Sequence, residues 1–390
     1  MTTRLVIECG VAATRAALLE SGVVTQFWFG PARGDEREDQ APRVGRNFAG
    51  RVKSINKSLS AAFVDIGDGL DGFLALTKRT QPHVTEGALI GVCVKSPPRQ
   101  GKGAALKYTG EVNGDKIGRL PPIHDAAIEA VLAIGDGVEE IVVDEGAACA
   151  ALKAHGFDAD IMHEQHSVAL FEVYEAESAL ELAFSSVVAL AGGGRIVINE
   201  AQALTAIDVD TVGLDASSPA RLREKIATSA AQEAARQIRL RNIGGHVAID
   251  FPSVSDKSSR ARFRELLDEV IGGLDGAGAA SFSKSGLYSF TMPHHAQSLL
   301  ERFTDIAPSD PQPGRRFTLD WQAKSAIRAV EHRLRAAPMT SINLRLGPAL
   351  YDFMNMQPQW SERLADRYGK RYNYIEDVSL KERDFELAEQ

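Results

Sequence analysis

The sequence predicts a mixed α/β protein with a small β-barrel inserted into it. Three observations predict this fold class. Five short strand-like segments follow one another between residues 43 and 108. Apolar strands alternate with amphipathic helices after residue 110, and polar stretches rich in Gly and Pro separate these parts. A chain of 390 residues is long enough for several modules, each with its own core.

The composition argues against several classes of protein. No apolar segment approaches the roughly 20 residues that span a bilayer, and the N-terminus lacks the pattern of a secretory signal. The three cysteines, Cys9, Cys93 and Cys149, are far apart, which argues against disulfides and against a thiolate zinc site. We therefore expect a cytoplasmic protein that has no membrane partner and no structural zinc.

The predicted barrel is the basic part of an acidic chain. Residues 43–107 carry eleven Lys and Arg against four Asp and Glu, although the whole chain has a net charge of −8. An OB-fold is the first candidate for five short strands of this kind. Phe63, Phe73 and Lys102 lie in it, where exposed rings could stack on the bases of a single strand and a lysine could contact phosphates. The alternatives are phenylalanines in a core and a basic face that meets only solvent.

Two aspartates end strands in the segment from residue 192 to residue 252. The strands "ALTAIDVD" and "HVAIDF" are joined by a helix, and such a crossover is most economical when the strands pair in parallel. Asp208 and Asp250 would then meet at one edge of the sheet, where α/β proteins bind ligands. Asp210 lies on the same face as Asp208. Two carboxylates suit Mg²⁺; the alternative is that both cap turns.

The helix between these strands has signals at both ends. Ser217 or Ser218 can cap its N-terminus with Pro219 in the first turn, and Gly244–Gly245 can stop it. Its predicted buried stripe consists of Leu222, Ile226, Ala230, Ala234 and Ile238.

The same helix ends in the basic run "RQIRLRN". Arg236, Arg239 and Arg241 in this run could therefore steer RNA or stabilise phosphate charge, and Arg239 and Arg241 are the candidates for RNA binding. Together with the aspartates, they predict a site for phosphoryl transfer.

Several stretches together resemble the RNase E/G family of endoribonucleases. Similarity to the family's S1-type barrel lies in "GRVKSINKSLSAAFVDIGDGLDGFLAL" and "GKGAALKY". The run from its RNase H-like region into its DNase I-like catalytic subdomain resembles "ALFEVYEAESALELAFSSVVALAGGGRIVINEAQALTAIDVDTVG". A family signature resembles "EAARQIRLRNIGGHVAIDF", and the end of shorter members resembles "DRYGKRYNYIEDVSLKERDFEL". The resemblance covers most of the chain.

The resemblance implies an organisation in several parts. These are an RNase H-like region (1–42 and 109–185), an S1-type OB barrel (43–108), a DNase I-like catalytic subdomain (186–303), a linker (304–316) and a small α+β C-terminal domain (317–390).

The resemblance also implies an activity. It is the hydrolysis of single-stranded, A/U-rich RNA to 5′-phosphate and 3′-hydroxyl ends, with Mg²⁺ as the cofactor and Mn²⁺ as a substitute. Asp208 and Asp250 match the family aspartates that bind catalytic magnesium. Phe63, Phe73 and Lys102 match barrel positions that contact RNA.

The chain also departs from the family pattern. Asp210 stands where the family has Asn, which makes it a candidate accessory ligand, and basic residues after the "GLYSFTM" strand are replaced by "PHHA". The stretch that holds the family's pocket for a 5′-monophosphate and the zinc-link cysteines are absent. We therefore expect cleavage that is independent of the RNA 5′ end and no zinc-linked tetramer, which leaves a monomer or a dimer. One alternative is a catalytically impaired RNA-binding or regulatory protein on the same scaffold. Another is an interaction module whose barrel binds protein.

Overall fold

The chain folds as two compact units. In the computed structural model, the described residues are 2–35, 41–99, 101–135, 137–211, 220–252, 257–306 and 314–389. The first unit comprises residues 1–39, 124–180 and 301–390, and the second comprises residues 40–123 and 181–300. Both units contain helices and strands, which confirms the predicted mixed α/β class. Within the described ranges, no helix is long and apolar enough to cross a membrane.

The first unit begins with an antiparallel meander. Its strands are β1 (Thr3–Cys9), β2 (Ala13–Glu20) and β3 (Val23–Pro31). Nearly every residue of β1 and β2 is buried, as expected for strands that are covered on both faces. The β2–β3 turn consists of Ser21 and Gly22, whose positive φ angles of 51° and 82° are those of a tight hairpin turn.

The second unit begins with a closed barrel. Its five strands are β4 (Asn47–Asn56), β5 (Ala61–Asp65), β6 (Asp71–Ala75), β7 (Leu89–Ser96) and β8 (Ala105–Glu111), and the short β9 (Gly118–Arg119) pairs with β4. The strands pair in the order β5-β6-β8-β7-β4, and β4 closes on β5. Only a glycine fits at Gly103, because a Cβ there would lie 2.1 Å from the Asp71 carbonyl oxygen. The closed barrel is consistent with the predicted OB-fold.

The chain then returns to the first unit and completes its sheet. The elements are α1 (Ala126–Ile134), β10 (Glu140–Val143), α2 (Gly146–His155), β11 (Asp160–His163) and α3 (Leu170–Val173), followed by α4 (Ala176–Phe184). Both β10 and β11 are parallel to β1, which gives the order β11-β10-β1-β2-β3. The Asp125 carboxylate caps α1 by accepting the Ala127 N–H at 2.9 Å, and Gly156 ends α2 in the left-handed conformation.

A six-stranded sheet forms the rest of the second unit. Its elements are β12 (Val187–Ala189), β13 (Arg195–Glu200), β14 (Thr205–Asp210), α5 (Ala220–Leu240), β15 (Gly245–Asp250), α6 (Lys257–Gly272), β16 (Ser281–Phe282) and β17 (Leu287–Met292). The strand order is β12-β13-β14-β15-β17-β16, and β14 and β15 are its parallel pair. The described stripe residues of α5, Ile226, Ala230, Ala234 and Ile238, are buried as predicted.

The predicted end of α5 is wrong by a few residues. The helix ends at Leu240, ahead of the glycine pair, and Asn242 takes a left-handed φ of 56°. The Ile243 N–H donates to the Ile238 carbonyl at 2.9 Å, which satisfies one of the last carbonyls of the helix. The predicted N-terminal cap at residues 217–219 and the side chain of Leu222 lie outside the described residues.

The C-terminal part of the first unit contains a three-stranded sheet. The elements from residue 299 onward are α7 (Leu299–Phe303), β18 (Thr304–Ile306), β19 (Arg315–Phe317), α8 (Leu319–Ala336), β20 (Ile342–Leu346), α9 (Pro348–Asn355), α10 (Pro358–Tyr368), β21 (Tyr372–Glu376) and β22 (Phe385–Glu389). The sheet order is β21-β20-β22. The predicted linker at 304–316 includes β18 and the start of β19, which pair antiparallel, while residues 307–313 lie outside the described ones.

Candidate metal centre and nucleic-acid interface

The two strand-end aspartates are brought side by side by the β14–α5–β15 crossover. The strands are parallel, as predicted, and Asp208 is in direct register with Asp250. Because neighbouring strands lie about 4.8 Å apart, paired residues project from the same face as immediate neighbours. The folding of distant parts of the chain therefore brings these two carboxylates together.

Both carboxylates lie on the face of the sheet opposite to the one that packs against α5 and α6. Residues 207, 209, 247 and 249 point the other way and are buried in one apolar cluster with α5 and α6. The face of the aspartates, which we call the open face, carries Arg195, Val197, Asp208, Asp210, Asp250 and Leu287. Asp208 and Asp250 are exposed there. Neither carboxylate has a hydrogen bond or an ion pair with any residue that the structure describes.

The two carboxylates suit a magnesium ion that keeps several of its waters, rather than an ion enclosed entirely by protein ligands. Mg²⁺ keeps several waters and is usually held by one or two carboxylates together with substrate phosphates. Among the described residues, no group of three or more His, Cys, Asp or Glu side chains could enclose a metal ion. A pair of exposed carboxylates in register, with no partner in the described part of the chain, is what an open site of this kind requires.

Asp210 has a different environment from its two acidic neighbours. It is in register with Arg195 on β13, and the guanidinium donates to Asp210 Oδ2 from Nε at 2.9 Å and from Nη2 at 2.7 Å. Sequence reasoning missed Arg195, which lies directly after a glycine-rich turn. The signal that could have found it is the short β13–β14 hairpin, whose pairing fixes which residue faces Asp210.

The two candidate arginines at the end of α5 are placed differently from each other. Arg239 is half-buried. Arg241 is fully buried, with its Nε donating to Gln237 Oε1 at 2.6 Å and its Nη2 donating to the Ser185 carbonyl at 2.8 Å. Burial lowers the pKa of the Arg241 guanidinium to about 10. The prediction that Arg241 contacts RNA is therefore wrong, because its side chain holds the helix end inside the protein.

The candidate RNA-binding residues of the barrel lie on its surface. Phe63 and Phe73 are cross-strand neighbours on β5 and β6, and their ring centroids are 6.1 Å apart in an edge-to-face arrangement. Phe73 is 39% exposed, which makes its ring accessible to a base. Lys102 is exposed at the tip of the β7–β8 hairpin. Gln297 anchors this hairpin by donating from Nε2 to the Pro98 carbonyl at 2.8 Å.

Comparison with known proteins finds one family over the region that contains both aspartates. A family model described as the Ribonuclease E/G family matches residues 123–291. Ribonuclease E of Haemophilus influenzae is 33% identical over 201 residues, which are 48% of this chain and 21% of that protein. Ribonuclease E of Escherichia coli is 35% identical over 125 residues, 31% of this chain and 12% of that protein. Ribonuclease G of Salmonella typhimurium is 31% identical over 105 residues, 26% of this chain and 21% of that protein. The chain thus matches about a fifth or less of the length of these relatives.

Proposed function

We propose, from the premise that this chain belongs to the ribonuclease E/G family, that it is a Mg²⁺-dependent endoribonuclease acting on single-stranded RNA. The observation that carries the proposal is the parallel register of Asp208 and Asp250 on the open face, where neither has a partner among the described residues. The family match includes both aspartates.

The architecture supports this function at the level of the fold. In the first sheet, three antiparallel strands are followed by two strands parallel to β1, and this arrangement supports an RNase H-like region. The closed barrel supports an S1-type OB domain. We assign residues 186–303 as the DNase I-like catalytic subdomain, because the crossover and its two aspartates lie there.

The two aspartates would hold the ion, and the strands would orient it. When bound, Mg²⁺ supplies Lewis acidity to a phosphate oxygen of the RNA. Asp208 and Asp250 attract the cation and fix its position, because backbone pairing on both strands limits their movement. Without the ion, the same two negative charges would repel a phosphate. We propose that water attacks the phosphorus and that the 3′-oxygen leaves with a proton, so that hydrolysis gives a 5′-phosphate and a 3′-hydroxyl.

The barrel would hold the RNA strand during cleavage. Phe73 and Phe63 offer ring faces and edges to the bases, while Lys102 contacts the phosphates. The hairpin that carries Lys102 is tied to the catalytic segment through Gln297. The barrel and the aspartates belong to the same compact unit, and we propose that one RNA strand contacts both.

The decisive experiment is cleavage of an unstructured RNA oligomer labelled at one end. We expect cleavage with Mg²⁺ or Mn²⁺, none with EDTA, and a loss of at least about 100-fold for Asp208→Asn and for Asp250→Asn. Asp275→Asn is the matched control, because Asp275 is an exposed aspartate of the same unit outside the site. Cleavage by Asp208→Asn at the wild-type rate would contradict the assignment of Asp208 and Asp250 as the metal ligands.

The nature of the RNA 5′ end provides a second test of the proposal. We propose that cleavage is independent of that end, that the protein acts in the cytoplasm, and that it is a monomer or dimer without zinc links. Oligomers with a 5′-hydroxyl and a 5′-monophosphate should be cleaved at equal rates. A strong preference for the monophosphate would contradict this part of the proposal.

A catalytically impaired RNA-binding protein is the second candidate, and the barrel favours it because its binding face does not depend on the aspartates. Phe73→Leu keeps an apolar side chain but removes the ring, and should weaken RNA binding by about 1–3 kcal/mol for each lost stacking contact. Salt-dependent binding that Phe73→Leu weakens, without turnover under any metal condition, would favour this candidate.

A further inference from the structure

The Arg195–Asp210 pair lies directly beside the two candidate metal ligands. Asp210 follows Asp208 by two residues on the same face of β14, and Arg195 is the cross-strand neighbour of Asp210 on β13. One carboxylate oxygen of Asp210 accepts both guanidinium hydrogen bonds. The side chains of Arg195 and Asp210 are 47% and 29% exposed, so the pair remains within reach of solvent ions.

Three carboxylates and one guanidinium therefore share this part of the open face. Asp208 and Asp250 have no partner among the described residues, whereas Asp210 is engaged by a cation from the neighbouring strand. The charges of the four groups sum to −2, which matches one divalent ion. Without Arg195, the three carboxylates would carry a charge of −3, and a third carboxylate would be free beside the ion.

We propose that Arg195 is a positioning residue that holds Asp210 out of the metal centre and cancels its charge, so that the site takes one divalent ion. The inference rests on the proposed function. A free Asp210 could turn toward the ion or recruit a second cation, and its charge would oppose the approach of an RNA phosphate. The paired guanidinium opposes both effects, because two hydrogen bonds hold Asp210 Oδ2 toward Arg195 and the positive charge offsets that of the carboxylate.

The proposal predicts an order of metal affinities that depends on charge. Without RNA, Arg195→Gln should bind Mn²⁺ most tightly and Asp210→Asn should bind it most weakly. The wild type and the double variant Arg195→Gln/Asp210→Asn should have intermediate affinities that are about equal. One unit charge acting on a divalent ion about 7 Å away changes the affinity about tenfold at low salt. The differences should shrink at high salt.

The experiment combines Mn²⁺ titration, followed by electron paramagnetic resonance of the free ion, with RNA cleavage by the same variants. Arg195→Gln should bind Mn²⁺ about tenfold more tightly or bind a second ion, and its kcat should fall. Adding Asp210→Asn to Arg195→Gln should return the affinity and stoichiometry to wild type and recover part of kcat. The control is Arg264→Gln, the same change in the exposed Arg264–Asp268 pair on α6. This helix packs against the face of the sheet opposite to the open face.

The outcomes separate this inference from the proposed function. If the wild type binds Mn²⁺ and loses it with Asp208→Asn, but both single pair variants bind as the wild type does, the role of Arg195 is overturned and the proposed function stands. If the wild type binds no Mn²⁺ without RNA but cleaves RNA in its presence, the role of Arg195 is overturned and the proposed function stands. If it neither binds Mn²⁺ nor cleaves RNA, both fall. If the double variant does not recover the affinity that the single variants alter, charge compensation is refuted.

Discussion

Two groups of acidic side chains in this protein differ in what surrounds them. Glu8, Asp144 and Glu331 are each 6% exposed or less, in the interior of the first unit, and each has a basic side chain within 4 Å. Asp208 and Asp250 are exposed on the open face of the second unit and have no ionic partner among the described residues. The difference indicates that the buried carboxylates are engaged by partners within the fold, whereas the exposed pair is available to an ion from outside.

The buried acids are held mainly by arginines. Arg15 donates to Glu8 Oε1 from Nε at 3.1 Å and from Nη2 at 2.9 Å, and its Nη1 lies 2.7 Å from Glu177 Oε2. The guanidinium lies over the Phe171 ring, 4.0 Å from its centroid. Burial alone would raise the pKa of Glu8, but Arg15 and His332 together hold it well below its usual range. Glu8 is therefore ionised, and its carboxylate is used in contacts within the fold.

Breaking this buried pair should have the largest effect on stability. Arg15→Met leaves Glu8 without its main counter-charge, and we expect a loss of about 3–5 kcal/mol in the free energy of unfolding, measured with urea. The combined change Arg15→Met/Glu8→Leu should recover much of this loss, because no buried charge then remains unpaired. Arg264→Met is the exposed control and should stay within about 0.5 kcal/mol. A loss below about 1 kcal/mol for Arg15→Met would remove the distinction between the two groups.

Glu331 provides a test of the buried group through pH. Its Oε2 accepts the Val11 N–H at 3.1 Å, and its Oε1 lies 3.4 Å from the Tyr368 hydroxyl and 3.6 Å from Arg367 Nη1. Burial raises the pKa of this carboxyl to about 7, against the attraction of Arg367. Glu8 nearby adds to the increase, while Arg335 opposes it.

The raised pKa of Glu331 predicts that stability falls as the pH rises. Between its unfolded pKa of 4.5 and its folded pKa of about 7, the folded protein holds a proton that the unfolded chain releases. Above pH 7 the carboxylate is ionised in both states, and the burial of its charge lowers the free energy of unfolding by about 3 kcal/mol relative to a protein without this shift. Glu331→Gln should remove this slope, so the variant gains stability over wild type between pH 5 and pH 8 in urea unfolding. The exposed Glu362→Gln is the control, and parallel pH profiles for wild type and Glu331→Gln would contradict the assignment.

The same contrast explains how much the sequence alone could predict. The aspartate pair is visible because strand, helix and strand are contiguous, and parallel pairing of the two strands aligns their ends. The buried acids are not visible, because Glu8 reads as part of an apolar strand and its partner His332 is more than 300 residues away. The prediction that Arg241 contacts RNA failed for a related reason, since a basic run at a helix end does not reveal which arginine packs inward.

The exposed pair should respond to metal, which the buried group should not. At a Mg²⁺ concentration about ten times Kd, binding to the folded protein raises the free energy of unfolding by about 1.4 kcal/mol. We expect thermal unfolding to shift upward with MgCl₂ but not with NaCl of equal ionic strength. Asp208→Asn and Asp250→Asn should each abolish the shift, whereas Asp275→Asn should keep it. A shift that survives both site variants would assign the ion to another part of the protein.

The smallest expected effect concerns the exposed pair without metal. Two like charges that face each other across neighbouring strands destabilise a sheet by a few tenths of a kcal/mol up to about 1 kcal/mol. Asp208→Asn in EDTA should therefore raise the free energy of unfolding by about 0.5 kcal/mol, most clearly at low salt, because screening weakens the repulsion in the wild type. The double variant Asp208→Asn/Asp250→Asn should gain little more, since the first change already removes the repulsion. A loss of stability for Asp208→Asn would mean that its carboxylate, like that of Glu8, serves the fold.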